Sequence, residues 1–407
     1  MKILHINCSE SGSTGKIISD ISEYVYAHGG SSVLCAPKVT SHSDEKLKKY
    51  QVSMPCEQGI YRRLSYISGI PYGFAPISTA KVFRIIRKEK PDIVHLHSIN
   101  SSVVNVYRLL AFLKKKKIPT VVTNHAEFLY TGSCSHAEEC NKWQNGCGSC
   151  PMLKKATGSK FFDRTHTAWK KMKRAFDGFE NLVIVSVSEW VRARSASSPI
   201  LNKYRNVAIL NGVNARIFNL DGKSEKKEGT TKTVLHVTSS FNDNPNSIKG
   251  GVHFIELARR FENEDVNFLV AGPFNIKGEI PKNILLLGSI SDQKRLAELY
   301  RNADLTVLTS KRETFGMAVA ESMCCGTPVA GFMSGGSESV AISEFSQFVE
   351  FGNVDLLENI LRTKWLNFKD GNNSFEIADE ARAKYSSERM AEEYLDLYKE
   401  LADKEKK

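Results

Sequence analysis

Short apolar runs alternate with helical segments along the chain. Eleven of these runs have the length and the β-branched residues of buried strands. They cover residues 3–6, 32–36, 93–96, 120–123, 182–187 and 207–210, and then 234–237, 267–270, 284–287, 304–308 and 328–331. This alternation predicts an α/β protein with two doubly wound parallel sheets.

The chain has 407 residues, more than one hydrophobic core usually serves, so we expect two domains. Between the two series of runs, residues 221–232 contain no apolar side chain, which predicts a solvated connection. We predict four parts: a first domain at 1–212, a linker at 213–232, a second domain at 233–380 and a terminal helical segment at 381–407. In that last segment Met390, Tyr394 and Leu401 lie near one helical face.

The composition is that of a soluble globular protein, with 41% hydrophobic and 25% charged residues. No apolar run approaches the roughly 18 residues of a membrane span. The amino terminus enters a strand-like run at residues 2–7 and lacks the pattern of a signal peptide. These features predict a cytoplasmic protein that does not cross a membrane.

Positive charge is concentrated in the amino-terminal half. Residues 1–190 hold 27 Lys and Arg against 15 Asp and Glu, and the rest of the chain holds 29 against 30. The basic clusters lie at 61–64, 84–90, 114–117 and 170–174, the last between Trp169 and Phe176. Basic and aromatic residues together on a helix suit an anionic membrane surface or a lipid pyrophosphate. A solvated basic face is the alternative, and nucleic acid is the least favoured partner.

Two acids eight residues apart bracket a glycine in the second half of the chain. Glu313 is followed by Thr314, Phe315 and Gly316, and the second acid is Glu321. Because an apolar run precedes Glu313, we expect this acid at the carboxyl end of a strand and Glu321 in the next helix. A helix amino terminus binds phosphate, and carboxylates accept hydrogen bonds from sugar hydroxyls. The arrangement therefore predicts a site for a phosphorylated sugar.

This segment, with the Gly326-Thr327-Pro328 that follows it, resembles the acidic motif of retaining nucleotide-sugar glycosyltransferases of family 4. The resemblance implies the GT-B fold, in which two Rossmann-like domains face a cleft and the C-terminal helix crosses back to the first domain. It implies that Glu313 contacts the donor sugar and that Glu321 binds the nucleotide ribose. It places Thr314, Phe315 and Gly316 in the same donor site.

Further positions extend the resemblance. Gly15 lies in a glycine-rich turn after the first strand, which in the family borders the diphosphate and the acceptor. His125 ends a strand and matches a family histidine near the donor sugar and the reactive centre. His95, His97 and Glu127 are weaker candidates at the same strand ends.

Lys249 matches the family lysine that neutralises the donor diphosphate. The family usually places an arginine about five residues before this lysine, where this chain has Asn244. Either Lys311 or Arg312 replaces that cation, or transfer activity is weak or altered.

The implied reaction moves a sugar from a nucleoside diphosphate to an acceptor hydroxyl with retention and without a catalytic metal. We found no Asp-x-Asp motif for Mg²⁺ or Mn²⁺. The acceptor would be a glycan or a lipid-linked glycan, in surface polysaccharide or lipid-linked oligosaccharide assembly, with the protein peripheral on the inner membrane face. The alternatives are a GT-B sugar-nucleotide epimerase, a phosphorylase-like enzyme, whose pyridoxal lysine motif we did not find, and a non-catalytic protein that binds nucleic acid or sugar nucleotide.

Four of the nine cysteines cluster in an insert at about 130–152, namely Cys134, Cys140, Cys147 and Cys150. Four thiolates match a tetrahedral structural zinc, and an iron–sulfur cluster and unmetallated thiols are the alternatives. Similar inserts occur in polysaccharide-assembly members of family 4. A metal here would fix a loop on the acceptor side. We expect the other five cysteines to be small buried residues: Cys8, Cys35, Cys56, Cys324 and Cys325.

Overall fold

A computed structural model describes residues 1–100, 102–159, 161–222, 231–368 and 371–404. The chain divides into two compact units. The first contains Met1–Leu210 together with Met390–Lys407, and the second contains Asn211–Arg389. Of the predicted linker, residues 223–230 lie outside the described residues.

The first unit is built on a seven-stranded parallel sheet in the order β3-β2-β1-β4-β5-β6-β7. Its strands are β1 (Lys2–Ile6), β2 (Ser31–Ala36), β3 (Leu47–Gln51), β4 (Ile93–Leu96), β5 (Thr120–Asn124), β6 (Leu182–Ser186) and β7 (Arg205–Ala208). Its helices are α1 (Gly12–Ala27), α2 (Glu57–Ser68), α3 (Pro76–Glu89), α4 (Val106–Lys115), α5 (Phe128–Thr131), α6 (Leu153–Thr157), α7 (Thr165–Phe176) and α8 (Glu189–Ala196). The strand order reverses between β1 and β4, where open α/β sheets bind ligands.

The second unit has a six-stranded parallel sheet in the order β12-β10-β8-β13-β14-β15, and β9 pairs separately with β11. Its strands are β8 (Lys232–Val237), β9 (Phe241–Asn242), β10 (Val266–Ala271), β11 (Phe274–Asn275), β12 (Ile284–Gly288), β13 (Leu305–Leu308), β14 (Val329–Phe332) and β15 (Ser346–Val349). Its helices are α9 (Gly251–Arg260), α10 (Gln293–Asn302), α11 (Met317–Cys324), α12 (Gly336–Val340), α13 (Val354–Thr363) and α14 (Gly371–Tyr385). Here the order reverses between β8 and β13.

The last helix, α15 (Ser387–Lys404), returns to the first unit. Its buried residues Tyr394 and Tyr398 belong to the same core cluster as Ile3 of β1 and Ile17 of α1. Burying a large apolar side chain contributes about 1.5–3 kcal/mol, so this packing holds the terminal segment against the first sheet. The predicted return of the C-terminal helix is confirmed.

All eleven predicted strands are present, with ends shifted by at most two residues. The sequence did not indicate β3 and β15, which lie at the outer edges of the two sheets, or the two-residue strands β9 and β11. Edge strands bury less surface, and the segment from Leu47 to Gln51 is mostly polar. Among the described helices, none is both long and apolar enough to cross a bilayer.

Candidate functional site

In the second unit, Lys249 and Glu313 form an ion pair. The Lys249 Nζ donates to the Glu313 Oε1 at 2.6 Å. Lys249 lies at the end of the segment between β8 and α9, and Glu313 follows β13, so the pair flanks the point where the strand order reverses. The two side chains keep 25% and 19% of their surface exposed, so both remain accessible to a ligand.

Glycine 250 allows the Lys249 loop to lie close to the end of β13. Its φ is +64°, and a Cβ there would lie 1.9 Å from the Thr309 carbonyl oxygen. The Lys311 N–H donates to the Ile248 carbonyl at 2.8 Å and ties the same two segments together. Only glycine fits this approach, which sets the position of Lys249 at the start of α9.

The backbone of Glu313 is held between the loops that follow β13 and β14. Its N–H donates to the Ser334 carbonyl at 3.1 Å, and its carbonyl accepts from the Gly336 N–H at 2.9 Å. Gly316, with φ +81°, precedes α11 and leaves the amino terminus of that helix beside the acid. The Phe315 side chain is buried and meets the Tyr385 ring edge-on, so it positions the turn.

The second acid, Glu321, is oriented by a buried tyrosine. The Tyr300 hydroxyl donates to the Glu321 Oε2 at 3.1 Å. Tyr300 is fully buried, and burial together with the neighbouring Glu321 charge raises its pKa well above the usual value. Tyr300 therefore stays protonated and acts as a fixed donor to the carboxylate.

His236, near the end of β8, is a site residue that the sequence did not suggest. Its Nδ1 bonds the Val307 carbonyl at 2.8 Å, so the neutral ring carries its proton there and Nε2 keeps a lone pair. Nε2 is buried and has no hydrogen-bond partner among the described residues. Burial lowers the pKa of His236 to about 4, and the charges of Lys249 and Glu313 both act on it. A histidine inside an apolar strand gives no sequence signal of this position.

The position of the missing arginine carries no cation. Asn244 is exposed, and its Oδ1 accepts the Asn246 N–H at 2.9 Å in a local turn. Of the two suggested replacements, Lys311 places its Nζ 5.8 Å from the Phe351 ring centroid, and Arg312 is buried.

In the first unit, the loop after β1 is tied down by Asn7. The Asn7 amide donates to the Thr14 hydroxyl at 3.0 Å and accepts from the Ser98 N–H at 3.1 Å. Gly15 is buried within α1, where a Cβ would lie 2.5 Å from the Glu10 carbonyl oxygen. Glycine at this position thus allows the loop to pack closely against the helix.

His125 follows β5 and is partly exposed. Its Nε2 lies 3.2 Å from the Nδ1 of His97, which follows β4. Burial lowers the pKa of His125 to about 4, so the ring is neutral at pH 7. A neutral imidazole ring can form hydrogen bonds, but it does not act as a general acid.

Glu127 is fully buried and has a structural partner. Its carboxylate accepts from the Arg194 Nε at 2.9 Å, from the Tyr130 hydroxyl at 2.7 Å and from the Ala137 N–H at 2.7 Å. The Arg194 guanidinium also lies 5.1 Å from the ring centroid of Trp143. Since Ala137 and Trp143 belong to the cysteine insert, Glu127 and Arg194 anchor that insert to the first unit.

The four clustered cysteines are free thiols that line one cavity of about 20 Å³. In the turn from Cys147 to Cys150, Cys147 and Ser149 have positive φ, and the Cys150 N–H donates to the Asp163 carboxylate at 2.5 Å. Over the described residues, three metal-ligand atoms within 4.8 Å of one another occur only at His5, His95 and His97. The thiols thus surround one space but do not form a tetrahedral set.

The expectation that the five unclustered cysteines are buried is wrong at two positions. Cys56, expected to be buried, is exposed and precedes α2 in a left-handed conformation, and Cys8 is partly exposed. Trp169 and Phe176 lie in the sequence among basic residues that would suit an anionic membrane surface. Both are buried, because α7 turns its aromatic face to the core.

An exposed apolar surface occurs instead on α2. Ile60, Leu64 and Ile67 expose 56%, 40% and 62% of their surface at helical spacing. The neighbouring Phe161 and Phe162 expose 78% and 51%, and the backbone of Phe162 approaches Gly69 at the end of α2. We call these five residues the α2 surface.

A cationic cavity adjoins the α2 surface within the first unit. It has a volume of about 700 Å³, and its lining includes Arg62 and Tyr66 of α2 with Lys154 and Lys155 of α6. Among the described residues that line it there is no acid. Lys155 pairs with Glu138 at 2.9 Å, so the remaining lining cations Arg62 and Lys154 favour an anionic ligand.

Comparisons with known proteins agree with this architecture. A family model described as Glycosyltransferase Family 4 matches residues 16–216, and one described as Glycosyl transferases group 1 matches residues 223–367. The putative colanic acid biosynthesis glycosyl transferase WcaC of Escherichia coli K12 is 23% identical over 335 residues, which cover 78% of each chain.

Two solved structures share the fold. The sucrose-phosphate synthase of Thermosynechococcus elongatus superposes with a TM-score of 0.70 at 16% identity, covering 98% of this chain and 99% of the other. The Anabaena protein HepE, solved with UDP-glucose, gives a TM-score of 0.62 at 14% identity, with coverage of 98% and 100%. Together with the two parallel sheets and the returning terminal helix, these matches identify the chain as a glycosyltransferase of the GT-B type with the group 1 and family 4 fold.

Proposed function

We propose that the protein transfers a sugar from a nucleoside-diphosphate sugar to an acceptor hydroxyl, with retention at the anomeric carbon and without a catalytic metal. The Lys249–Glu313 pair is the observation that carries this proposal, because it sets a cation and a carboxylate side by side at the ligand-binding edge of the second sheet. The Anabaena neighbour, solved with UDP-glucose, supports a nucleotide-sugar donor.

Each partner of the pair has a separate task in this proposal. The Lys249 ammonium neutralises the charge that develops on the leaving diphosphate. Glu313 accepts hydrogen bonds from hydroxyls of the donor sugar, and Glu321, held by Tyr300, accepts from the ribose. The amino termini of α9 and α11 add positive dipole ends near the phosphates. Lys311 is the better second cation, since Arg312 is buried.

The acceptor in this proposal is a phosphorylated glycan carried on lipid. The cationic cavity suits a phosphate or pyrophosphate group. The α2 surface suits the interfacial layer of an anionic bilayer, because its apolar stripe lies beside Arg62 and Arg63. The related colanic acid protein supports a role in polysaccharide assembly. On this view the protein is peripheral on the inner membrane face.

The cysteine insert belongs to the same proposal as a structural zinc site. A cavity of about 20 Å³ lined by Cys134, Cys140, Cys147 and Cys150 has room for a single ion. Zinc would supply charge neutralisation for the thiolates and draw the sulfurs together. Four protein ligands leave no open position, so this ion would stabilise the insert and take no part in transfer.

The experiment that tests the function is a product analysis. The purified protein is incubated with labelled UDP-, GDP-, ADP- and CMP-sugars, with and without a bacterial lipid-linked acceptor fraction. Transfer predicts label in the lipid fraction and release of free nucleoside diphosphate only when acceptor is present. An isomerised nucleotide sugar without acceptor would instead identify an epimerase, and an unchanged donor would contradict catalysis.

A further inference from the structure

Three histidines of the first unit form a hydrogen-bonded row: His5 and His97 are buried, and the row ends at the partly exposed His125. The His5 Nδ1 lies 3.1 Å from the His97 Nε2, and the His97 Nδ1 lies 3.2 Å from the His125 Nε2. They come from β1, the end of β4 and the end of β5, which are neighbours in the sheet. We call them the histidine row.

All three rings are neutral at pH 7. Burial lowers the pKa of His5 to about 3 and of His125 to about 4, and it lowers that of His97 well below the usual value, helped by neighbouring histidines. A neutral imidazole has one N–H donor and one acceptor nitrogen. Each ring in the row therefore donates on one side and accepts on the other.

Only two proton arrangements satisfy both contacts. In the first, every ring carries its proton on Nδ1, so His5 donates to His97 and His97 donates to His125. In the second, every ring carries it on Nε2, and the donations run the other way. Because His97 has one proton, the choice at one contact fixes the choice at the other.

The far end of the row selects the arrangement. The His5 Nε2 is buried and has no hydrogen-bond partner among the described residues. The second arrangement would leave an N–H donor there, whereas the first leaves only a lone pair. Orphaned buried N–H groups are rarer in folded proteins than under-satisfied acceptors, so the first arrangement is favoured.

A second network excludes a metal as the reason for this cluster. His95 uses both nitrogens, Nδ1 with the Tyr398 hydroxyl at 2.6 Å and Nε2 with the Thr123 hydroxyl at 2.7 Å. His97 uses both of its nitrogens within the row. Of the three clustered histidines, His5 alone has a nitrogen outside this network, so an ion would have to break existing bonds.

We propose that His5 and His97 are positioning residues that fix His125 as its Nδ1–H tautomer. His125 then accepts from His97 at Nε2 and carries its proton on Nδ1. This inference rests on the proposed function in one respect: in a sugar transferase, a neutral His125 with its proton on Nδ1 would act as a hydrogen-bond donor and would not remove a proton from the acceptor.

The direct test is long-range ¹H–¹⁵N NMR of the full-length protein labelled with ¹⁵N-histidine, with His125→Gln used for assignment. The expected result is a protonated-type Nδ1 shift and an unprotonated-type Nε2 shift for His125 at pH 7. The opposite pattern would overturn the proposal. This measurement needs no nucleotide sugar, so failure of the proposed function would leave it intact.

A matched pair of variants tests the role of His5. The amide N–H of His5→Gln can still donate to His97, so His125 should keep its tautomer. His5→Leu removes that donor, and the His125 signals should shift toward a mixture of tautomers, with kcat for transfer falling about tenfold and KM nearly unchanged. Equal kcat losses in both variants with an unchanged His125 tautomer would mean that His5 is only structural. If His5→Leu does not fold, the NMR spectrum of the unsubstituted protein still determines the His125 tautomer.

Discussion

Lys249 donates to Glu313 at 2.6 Å, and this pair joins the segments that follow two neighbouring strands, β8 and β13. Without a ligand, the Lys249 ammonium and the Glu313 carboxylate bind each other. Each group therefore fills the position that a bound donor would otherwise contact. A bound diphosphate would draw the ammonium toward phosphate, and the carboxylate would then be available to sugar hydroxyls. The pair therefore keeps both groups oriented before the donor binds.

The buried pair of Glu127 and Arg194 yields a stability prediction. Arg194→Met leaves the fully buried carboxylate without its cation, and we expect the free energy of unfolding of the first unit to fall by about 3–5 kcal/mol. Urea denaturation followed by tryptophan fluorescence measures this change, since Trp143 and Trp190 contact Arg194.

The matched control is Arg192→Met, which breaks the exposed pair with Glu189 on the same helix. This substitution should lower the free energy of unfolding by less than about 1 kcal/mol. Equal costs for the two variants would contradict the anchoring role of Glu127.

The cysteine cluster predicts one zinc per chain in protein purified under reducing conditions. Cys147→Ser and Cys150→Ser should each lower the zinc content to near zero and expose the insert to proteolysis. Cys56 is exposed and does not line the cavity of the four clustered cysteines. The control variant Cys56→Ser should therefore leave the zinc content unchanged. Elemental analysis after dialysis against a weak chelator measures the content. Four freely titratable thiols and no metal would refute the zinc proposal.

The α2 surface predicts binding to anionic vesicles. Co-sedimentation with vesicles containing phosphatidylglycerol should fall by about tenfold or more in the double variant Leu64→Glu, Ile67→Glu, since two exposed apolar contacts become charges of the membrane's own sign. The control Leu356→Glu changes an equally exposed leucine on α13. Absence of binding by the unsubstituted protein at physiological salt would remove the membrane proposal.

The histidine row predicts a pH dependence of stability. The pKa values of His5 and His125 lie at about 3 and about 4 in the folded state, below the value of about 6.5 in an unfolded chain. The unfolded state therefore binds more protons below pH 6.5, and stability falls as pH falls toward the folded values. Within that pH window, each such ring lowers the free energy of unfolding by roughly 1.4 kcal/mol for every pH unit of acidification.

Thermal unfolding of the full-length protein at pH values between 7 and 5 measures this dependence of stability on pH. We expect the melting temperature to drop across the interval and to drop less steeply in His5→Gln, which removes one of the titrating rings. A flat profile in the unsubstituted protein would contradict the neutral histidine row.

Much of the fold could be predicted from the sequence because its central strands are continuous apolar runs. The strands β3 and β15 were not predicted, since neither contains a continuous buried apolar run. The sequence also did not show which face of α7 is buried. Spacing placed Trp169 and Phe176 among the basic residues, but only the packing of the helix shows which face is buried.

The candidate site was predictable where a motif carries it and not where it depends on tertiary contacts. Spacing alone indicated Glu313 and Glu321, and the resemblance added Lys249. Tyr300 and His236 could not be found in this way, because their roles come from a hydroxyl and a ring nitrogen that meet distant residues only in the folded sheet.

The measurement that tests the central claim most directly is donor binding by thermal shift, with UDP-, GDP-, ADP- and CMP-sugars at millimolar concentration. Binding to the folded state raises the melting temperature by mass action. We predict a shift with one nucleotide class that is lost in Glu321→Ala and in Lys249→Gln and retained in Lys294→Gln, an exposed lysine on α10. No shift with any nucleotide sugar, or an equal shift in all three variants, would contradict a donor site at the Lys249–Glu313 pair.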